Sequence, residues 1–405
     1  MKETLKIAVF HNLPSGGAKR ALYDHVKYLV SSGHEVDVFV PETANESFLS
    51  LAELVNNFKV FPVKTGFLRS WIYSKLNPET PSNGLISLKE LESTEKNIAT
   101  HINGGDYDVV LSEQDRFTMS PFILKYIKIP SVYYCQQPLR NDKILEEVSN
   151  DMKNLNFIRK TMKYRDLDNT FKIDRINARY SQYIIANSYF SRESILKTYG
   201  LNSFVSYLGI NTDKFKPLQL SPEDFVLSVG SCTPAKGYDF TIRSLSLIND
   251  QIRPKFIIVS NFSSTKWKNY IEQLAKKLGV KLIILDIIND HELIKLYNKA
   301  KMVIYTPYLE PFGLIPIESM SCGTPVVAVK EGGVRETVVH NETGLLIDRD
   351  EKLFAQVILE LLKDTDKSHE MSKNAVTMVR NFWDIEHAGN RLLNHLNRAM
   401  DMYTS

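Results

Sequence analysis

Glu310 and Glu318 are the residues whose type and spacing first suggest chemistry, because eight positions separate them around a predicted strand-to-helix turn. The apolar run Met302–Tyr305 precedes the first glutamate, and its short length and β-branched content predict a buried parallel strand. Pro311 predicts the start of the next helix, which contains the second glutamate. At ~3.6 residues per turn, we expect one carboxylate at the turn and the other about two turns further along.

Anion-binding groups are predicted between these two carboxylates. The backbone N–H groups of Phe312, Gly313 and Leu314 would lie in the first turn of the helix. N–H groups there lack an intrahelical partner, and the helix dipole favours an anion. Anion donors flanked by carboxylates suit a ligand that is part phosphate and part polyol, and a nucleotide sugar is a ligand of this kind.

Two other segments have features of a phosphate site. Gly16 and Gly17 follow the apolar run Ile7–Phe10 and precede a helical pattern, so a phosphate could approach the bare backbone. The same pair could form a plain tight connection, and it lacks the G-x-G-x-x-G spacing of a dinucleotide site. Lys236 follows the strand predicted at Phe225–Val229 in a comparable position.

The stretch that contains both glutamates resembles the donor site of the retaining glycosyltransferases of family 4. It has the family's Glu-x7-Glu spacing inside EPFGLIPIESMSCGTPVV, followed by a GG-x-x-E loop. The resemblance covers nearly the whole chain and implies the α/β GT-B fold, with two Rossmann-like doubly wound domains that face each other across a cleft. It implies an N-terminal acceptor-side domain at 1–207, a C-terminal nucleotide-sugar-binding domain at 208–380, and a last helix at 381–405 that packs back on the N-terminal domain.

The resemblance also implies roles on the donor side. Glu310 would bind hydroxyls of the donor sugar, Glu318 would bind those of the ribose, and Lys236 would neutralise the diphosphate. Relatives usually carry an arginine where this chain has Ser231. The candidate donor-binding residues are Gly16, Gly17, Ser231, Lys236, Glu310, Phe312, Gly313, Leu314 and Glu318.

Two polar residues at the ends of predicted N-terminal strands complete the candidate catalytic set. Glu113 and Gln136 stand where many relatives carry histidines. The carboxyl ends of parallel strands open toward the ligand crevice of a doubly wound sheet. The candidate catalytic residues are therefore Glu310, Lys236, Glu113 and Gln136. His11, beside the glycine turn, is an alternative to the missing histidines, but it is better explained as a half-buried loop histidine.

The composition predicts a globular cytoplasmic protein that does not bind nucleic acid. The 405 residues are 43% hydrophobic and 24% charged, and a net charge of +3 is too small for a nucleic-acid-binding surface. The three widely spaced cysteines indicate a reducing compartment and argue against a zinc site or a disulfide framework. No run approaches the ~18 apolar residues of a transmembrane helix, and the first residues lack a signal-peptide layout.

Two segments leave alternatives open. Residues 153–172 contain six cations and two anions, a net charge of +4. This charge suits peripheral contact with an anionic membrane or a phosphorylated acceptor, but a solvated helix face is the simpler explanation. Residues 66–88 combine aromatic and turn residues, for which the resemblance implies a region facing the acceptor, although a surface insertion explains them as well.

The resemblance further implies a retaining, metal-independent transferase that needs no cofactor besides its donor, a UDP- or GDP-linked sugar. The acceptor would be a saccharide or a lipid-linked saccharide in cell-envelope or exopolysaccharide synthesis. One alternative is a catalytically impaired nucleotide-sugar-binding protein, for which the changes at Glu113, Gln136 and Ser231 argue. Another is a different GT-B enzyme, such as an epimerase.

Overall fold

The computed structural model describes residues 4–64, 87–139 and 157–404, without the side chains at 157–166 and 404. Nearly all of the expected acceptor region at 66–88, and most side chains of the basic stretch at 153–172, therefore lie outside what is described. The chain forms two compact units. The first comprises Met1–Asn187, Ser191–Tyr207 and Ala388–Ser405, and the second comprises Ser188–Phe190 and Leu208–His387.

The first unit is built on a parallel sheet of seven strands in the order β3-β2-β1-β4-β5-β6-β7. The strands are β1 (Lys6–Asn12), β2 (Glu35–Pro41), β3 (Asn57–Phe61), β4 (Val109–Asp115), β5 (Ser131–Cys135), β6 (Tyr183–Ala186) and β7 (Phe204–Val205). Its helices include α1 (Gly17–Ser31), α2 (Leu88–Asn103), α3 (Phe157–Ala178) and α4 (Tyr189–Tyr199), whose first two residues belong to the second unit. The central strands are apolar runs because parallel sheets of this class are covered on both faces.

The second unit contains a parallel sheet of six strands in the order β10-β9-β8-β11-β12-β13. The strands are β8 (Phe225–Val229), β9 (Lys255–Ser260), β10 (Leu282–Asp286), β11 (Met302–Tyr305), β12 (Val326–Val329) and β13 (Gly344–Ile347). The helices are α5 (Tyr238–Ser246), α6 (Thr265–Lys277), α7 (Asp290–Lys299), α8 (Leu314–Ser321), α9 (Val334–Thr337), α10 (Glu351–Lys363) and α11 (Thr365–Met378). Within the described residues, no helix has the length and apolar character needed to cross a bilayer.

In each sheet the strand order reverses next to the unit's first strand. β1 pairs with both β2 and β4, and β8 pairs with both β9 and β11. Doubly wound sheets bind ligands outside the carboxyl ends of their strands at this reversal. Gly16, Glu113, Lys236 and Glu310 all lie near the carboxyl ends of β1, β4, β8 and β11 or in the loops that follow these strands.

The last helix, α12 (Ile385–Thr404), contributes the C-terminal part of the first unit. Gly389 lies against the ring of Tyr28 on α1 so closely that a Cβ there would be 2.1 Å from a ring carbon. The last helix is predicted to begin at residue 381. Phe382 lies instead in the π-helical turn Val379–Trp383, and α12 begins after it.

Candidate functional site

Lys236 and Glu310 form an ion pair at the strand reversal of the second unit. The Nζ atom of Lys236 lies 2.8 Å from Oε1 and 2.9 Å from Oε2 of Glu310. Lys236 ends the short 3-10 turn Pro234–Lys236 after β8, and Glu310 lies in the loop after β11. The side chains are 21% and 30% exposed, so both charged groups remain accessible to a ligand.

Glu318 lies deeper in the same unit than Glu310. It is 2% exposed, and its Oε2 accepts a hydrogen bond of 2.8 Å from the hydroxyl of Tyr297 on α7. The sequence offered no signal for this tyrosine, because it lies on the preceding helix at a position that reads as ordinary core. The hydrogen bond from Tyr297 therefore fixes the orientation of the Glu318 carboxylate. The proposed contact of Glu318 with a ribose stays a prediction.

The prediction that the helix begins at Pro311 is wrong, since α8 begins at Leu314. Gly313 is its N-cap residue with φ 139° and ψ 58°, a conformation that suits glycine. The N–H of Phe312 therefore lies outside the helix, and Glu318 is about one turn from the helix start instead of two. The ring of Phe312 is buried edge-on against Trp383, with 5.5 Å between the ring centroids.

Ser231 lies in the loop after β8, and its side chain carries no charge. Its hydroxyl lies 3.4 Å from that of Thr233. Nearby, the hydroxyl of Tyr238 donates to the carbonyl of Gly230 at 3.0 Å, which fixes the start of this loop. A shallow pocket lies beside it, lined by Ser228, Val229, Lys236, Tyr238, Ile304, Tyr305, Thr306 and Pro307.

In the first unit, Gly16 is the N-cap residue of α1, with φ 146°. A Cβ on Gly16 would meet no atom within 4 Å, so glycine is required here by backbone conformation and not by crowding. Gly17 is the first residue of α1. The pair therefore forms the strand-to-helix turn that the sequence predicts, and its contact with a phosphate stays a prediction.

Beside this turn, the buried residues His11 and Lys19 contact the partly exposed Glu46. The Lys19 ammonium is fully buried and is paired with the Glu46 carboxylate. His11 Nδ1 accepts from the Leu13 N–H at 3.2 Å, so we place the ring proton on Nε2, which lies 3.0 Å from Glu46 Oε1. His11 is thus a fully buried residue of β1, and not a half-buried loop histidine.

The pKa values of this cluster follow from its burial. Burial lowers the pKa of His11 to about 4, with Glu46 opposing and Lys19 reinforcing the shift. Burial also lowers the pKa of Lys19, against the opposing effect of Glu46. Burial alone would raise the pKa of Glu46, but the hydrogen bonds from His11 and Lys19 lower it to about 2. The Lys19 ammonium is therefore held in an ion pair with Glu46. The residues next to Lys19 in the sequence do not indicate this partner.

Glu113 and Gln136 meet in the interior of the first unit. The Gln136 Nε2 donates to the Glu113 carboxyl at 3.2 and 3.4 Å, and Gln136 Oε1 accepts from Asn187 at 3.0 Å. Burial raises the pKa of Glu113 well above its ordinary value, although Gln136 opposes the shift. Both side chains are buried, so their surface for direct ligand contact is small, and their catalytic role stays a prediction.

The structure brings predicted site residues together in two sets. Lys236, Glu310 and the start of α8 share the second unit, and Glu113 and Gln136 touch in the first. Among the residues that the structure describes, no three His, Cys, Asp or Glu side chains cluster in a metal-holding arrangement.

Two family models match the chain, one over each half. The model described as "Glycosyltransferase Family 4" matches residues 15–214, and the one described as "Glycosyl transferases group 1" matches residues 210–378. Together they cover most of both units.

Individual relatives are similar over varying lengths. A D-inositol 3-phosphate glycosyltransferase of Corynebacterium efficiens is 34% identical over 164 residues, which are 39% of this chain and 39% of that protein. The α-1,3/1,6-mannosyltransferase ALG2 of Dictyostelium discoideum is 26% identical over 314 residues, 67% of this chain and 71% of that protein. In three of the curated matches, the aligned part spans 32%, 39% and 45% of the relative's length.

Solved structures show the same architecture over nearly the full chain. The crystal structure of Anabaena HepE in complex with UDP-glucose superimposes with a TM-score of 0.72, covering 97% of this chain and 100% of that chain. The sequence identity is 20%, so this likeness shows the fold alone.

Proposed function

The chain belongs to family 4 of the glycosyltransferases, with the GT-B fold, and we propose that it transfers a sugar from a nucleotide diphosphate sugar with retention of configuration. The observation that carries this proposal is the Lys236–Glu310 ion pair beside the start of α8. A cation for a phosphate and a carboxylate for sugar hydroxyls are held together where a doubly wound sheet binds its ligand.

The roles proposed for the second unit follow from charge. Lys236 and the N–H of Leu314 stabilise the diphosphate, whose negative charge grows as the bond to the sugar breaks. Such preorganised donors are typically worth about 3–4 kcal/mol each in the transition state. Glu310 accepts hydrogen bonds from donor-sugar hydroxyls, and Glu318 accepts from the ribose. An acceptor that carries a charge contributes about 1.5–3 kcal/mol per hydrogen bond.

The proposed reaction is a substitution at the anomeric carbon. An acceptor hydroxyl forms a bond to this carbon on the face from which the diphosphate leaves. The carbon–oxygen bond to phosphate breaks, and a phosphate oxygen takes the hydroxyl proton, so the configuration is retained. Lys236 supplies the charge neutralisation that a metal ion would otherwise provide, which is the reason for proposing a metal-independent enzyme without a cofactor.

The first unit is proposed to serve the acceptor, a saccharide or a lipid-linked saccharide of cell-envelope or exopolysaccharide synthesis. We propose a cytoplasmic enzyme that contacts the inner face of an anionic membrane through its basic stretch at 153–172, whose net charge of +4 supports this contact. Gly16, Gly17, Glu113 and Gln136 are proposed to act from this unit.

A panel of UDP- and GDP-linked sugars tests the function directly. We expect hydrolysis or transfer with at least one donor, retained anomeric configuration by NMR, and unchanged turnover in excess EDTA. The Glu310→Gln variant should lose most of this turnover while remaining folded. Loss of activity in EDTA that Mg²⁺ or Mn²⁺ restores would contradict the metal-independent mechanism.

A second candidate is a nucleotide-sugar-binding protein with little or no catalysis. Ser231 in place of a cation and the burial of Glu113 and Gln136 favour it. Such a protein would show a thermal shift with a nucleotide sugar but no product with any donor. Turnover with any donor of the panel would exclude it.

A further inference from the structure

Arg349 lies in the loop between β13 and α10 and forms an ion pair with Glu331 in the loop after β12. Its Nε donates to Glu331 Oε1 at 2.7 Å, and its Nη2 donates to Glu331 Oε2 at 2.9 Å. This is a two-pronged pairing, which fixes the orientation of the guanidinium plane as well as its position. The side chains are 15% and 26% exposed, so the pair is largely shielded from water.

The remaining donors of Arg349 hold the loop that leads to Glu310. Nη1 donates to the carbonyl of Thr306 and Nη2 to that of Pro307, both at 3.0 Å. The guanidinium carbon also lies 3.8 Å from the ring centroid of Tyr308, a cation–π distance. One side chain thus joins the loops that follow β11, β12 and β13.

These loops are locked to the backbone around Glu310. The N–H of Gly333 donates to the carbonyl of Glu310 at 2.8 Å. A Cβ on Gly332 would lie 2.4 Å from the same carbonyl oxygen, so the two loops approach as closely as their backbones allow. Leu309 has φ 50°, a left-handed conformation that is rare for leucine and that persists only where surrounding contacts enforce it.

The turn that carries Lys236 is fastened to the same loop. The N–H of Tyr308 donates to the carbonyl of Ala235 at 2.9 Å. Gly237 has φ 66°, and a Cβ there would lie 2.2 Å from the carbonyl oxygen of Thr306. The position of Lys236 relative to Glu310 therefore depends on where the segment from Thr306 to Tyr308 lies.

We propose that Arg349 is a positioning residue. By holding the loop after β11, it fixes the position of the Glu310 carboxylate relative to the Lys236 ammonium. Its effect on turnover rests on the proposed transferase function, whereas its effect on loop order does not. A lysine cannot replace it, because a single ammonium cannot make the planar set of four hydrogen bonds.

The decisive comparison is Arg349→Lys against Arg253→Lys. Arg253 belongs to the same unit and also makes four hydrogen bonds, all to the carbonyls of Ser246, Ile248 and Gly279. The exchange to lysine therefore removes as many arginine hydrogen bonds at Arg253 as at Arg349. Arg253 makes none of its hydrogen bonds to the loops that follow β8, β11, β12 and β13. Thermal unfolding of both variants measures the general cost of the exchange.

Hydrogen exchange tests positioning without any need for activity. We expect Arg349→Lys to lose protection at the amides of Tyr308 and Gly333, which donate to Ala235 and Glu310, while Arg253→Lys retains it. Unchanged protection of both amides in Arg349→Lys would overturn the proposal.

Kinetics then test the consequence for the reaction. Because a displacement of about 1 Å at a reacting group can cost about 100-fold, we expect kcat for the donor to fall by this order in Arg349→Lys, with KM changed much less. Arg253→Lys should keep both constants, and guanidinium ions should restore part of the activity of Arg349→Ala. Equal kcat values in the two lysine variants would overturn the catalytic consequence. If the unmodified chain turns over no donor, the proposed function fails, and hydrogen exchange still decides the role of Arg349.

Discussion

At the scale of single residues, Glu318 combines burial with a proposed contact to the ligand. Its carboxylate accepts a hydrogen bond of 2.8 Å from the Tyr297 hydroxyl, so the side chain is already oriented before any ribose hydroxyl approaches. A charged acceptor binds a hydroxyl more strongly than a neutral amide does, by about 1 kcal/mol. The charge of Glu318, more than its shape, should therefore matter for donor binding.

We predict that Glu318→Gln lowers kcat/KM for the donor by about fivefold, in line with a loss of about 1 kcal/mol. Glutamine keeps the size of the side chain and an oxygen for Tyr297, so folding should be little affected. Tyr297→Phe is the matched control, because it removes the hydroxyl and leaves the carboxylate charged. Near-normal turnover of Glu318→Ala would contradict any role of this residue in transfer.

His25 is a buried histidine in the first unit whose two ring nitrogens have no hydrogen-bond partner among the described residues. Its ring stacks on that of Tyr134, with centroids 5.7 Å apart. Burial, reinforced by Arg391, lowers the pKa of His25 to about 3. In the unfolded chain a histidine titrates near pH ~6.5, so between these values only the unfolded state takes up the proton.

Because the unfolded state binds more protons in this window, stability should fall as the pH drops from about 6.5 toward 3, by up to ~1.4 kcal/mol per pH unit for this residue. We predict that His25→Phe makes the slope of unfolding free energy against pH shallower by about one proton between pH 6 and 4. His11, with its pKa of about 4, keeps part of the acid sensitivity. Denaturant titrations at a series of pH values measure the slope, and an unchanged slope in His25→Phe would contradict the assignment.

At the scale of elements, the short turn between β8 and α5 depends on one glycine. Gly237 combines a left-handed φ of 66° with direct contact to the backbone of the loop after β11. A side chain there would meet a carbonyl oxygen, which cannot turn away as a flexible side chain could. The turn can therefore carry Lys236 only if the next residue is glycine.

We predict that Gly237→Ala displaces the turn. The loss of binding free energy for a nucleoside diphosphate should be at least as large as the loss of unfolding free energy. Gly200→Ala is the matched control, because Gly200 has φ 72° but no atom within 4 Å of its Cβ position. Both variants bear the ~1–2 kcal/mol cost of a left-handed alanine, and only Gly237→Ala adds a clash. Calorimetric binding and denaturant titration of both variants would reveal the difference, and equal losses would contradict it.

Much of the element level could be predicted from the sequence. The runs at Met302–Tyr305 and Phe225–Val229 are short and mostly apolar, and both are strands as predicted. The start of α8 was missed, because Pro311 suits a first helical turn by its fixed φ, whereas the chain delays the helix until after Gly313. The contacts of Glu46 with Lys19 and of Arg349 with the loop at Thr306 join distant segments, and no local pattern contains them.

At the scale of the whole molecule, the three cysteines are distributed over both units and are all buried. Cys135 belongs to the first unit, and Cys232 and Cys322 belong to the second. Burial raises the pKa of each thiol, so none should react with a labelling reagent before the surrounding structure opens. Their reaction rates therefore report the opening of each unit separately.

We predict that a nucleoside diphosphate slows the labelling of Cys232 and Cys322 far more than that of Cys135, because the proposed donor site lies in the second unit. At a concentration 100 times Kd, the protection should approach about 100-fold, which corresponds to ~2.7 kcal/mol. Mass spectrometry of labelled peptides resolves the three rates. Equal slowing at all three cysteines would show that the molecule opens as one cooperative unit.

The ion pair between fully buried Lys19 and Glu46, whose side chain is 21% exposed, also constrains how this sequence can change over generations. Loss of Glu46 leaves the Lys19 charge unpaired in the interior, at a cost of roughly 3–5 kcal/mol. Loss of Lys19 costs less, because the Glu46 carboxylate reaches solvent. Joint replacement by neutral side chains of similar volume avoids both costs. Lineages should therefore keep both residues or exchange both within a short interval. Descendants that retain Lys19 without Glu46 should be rare, although 27 positions separate the two in the chain.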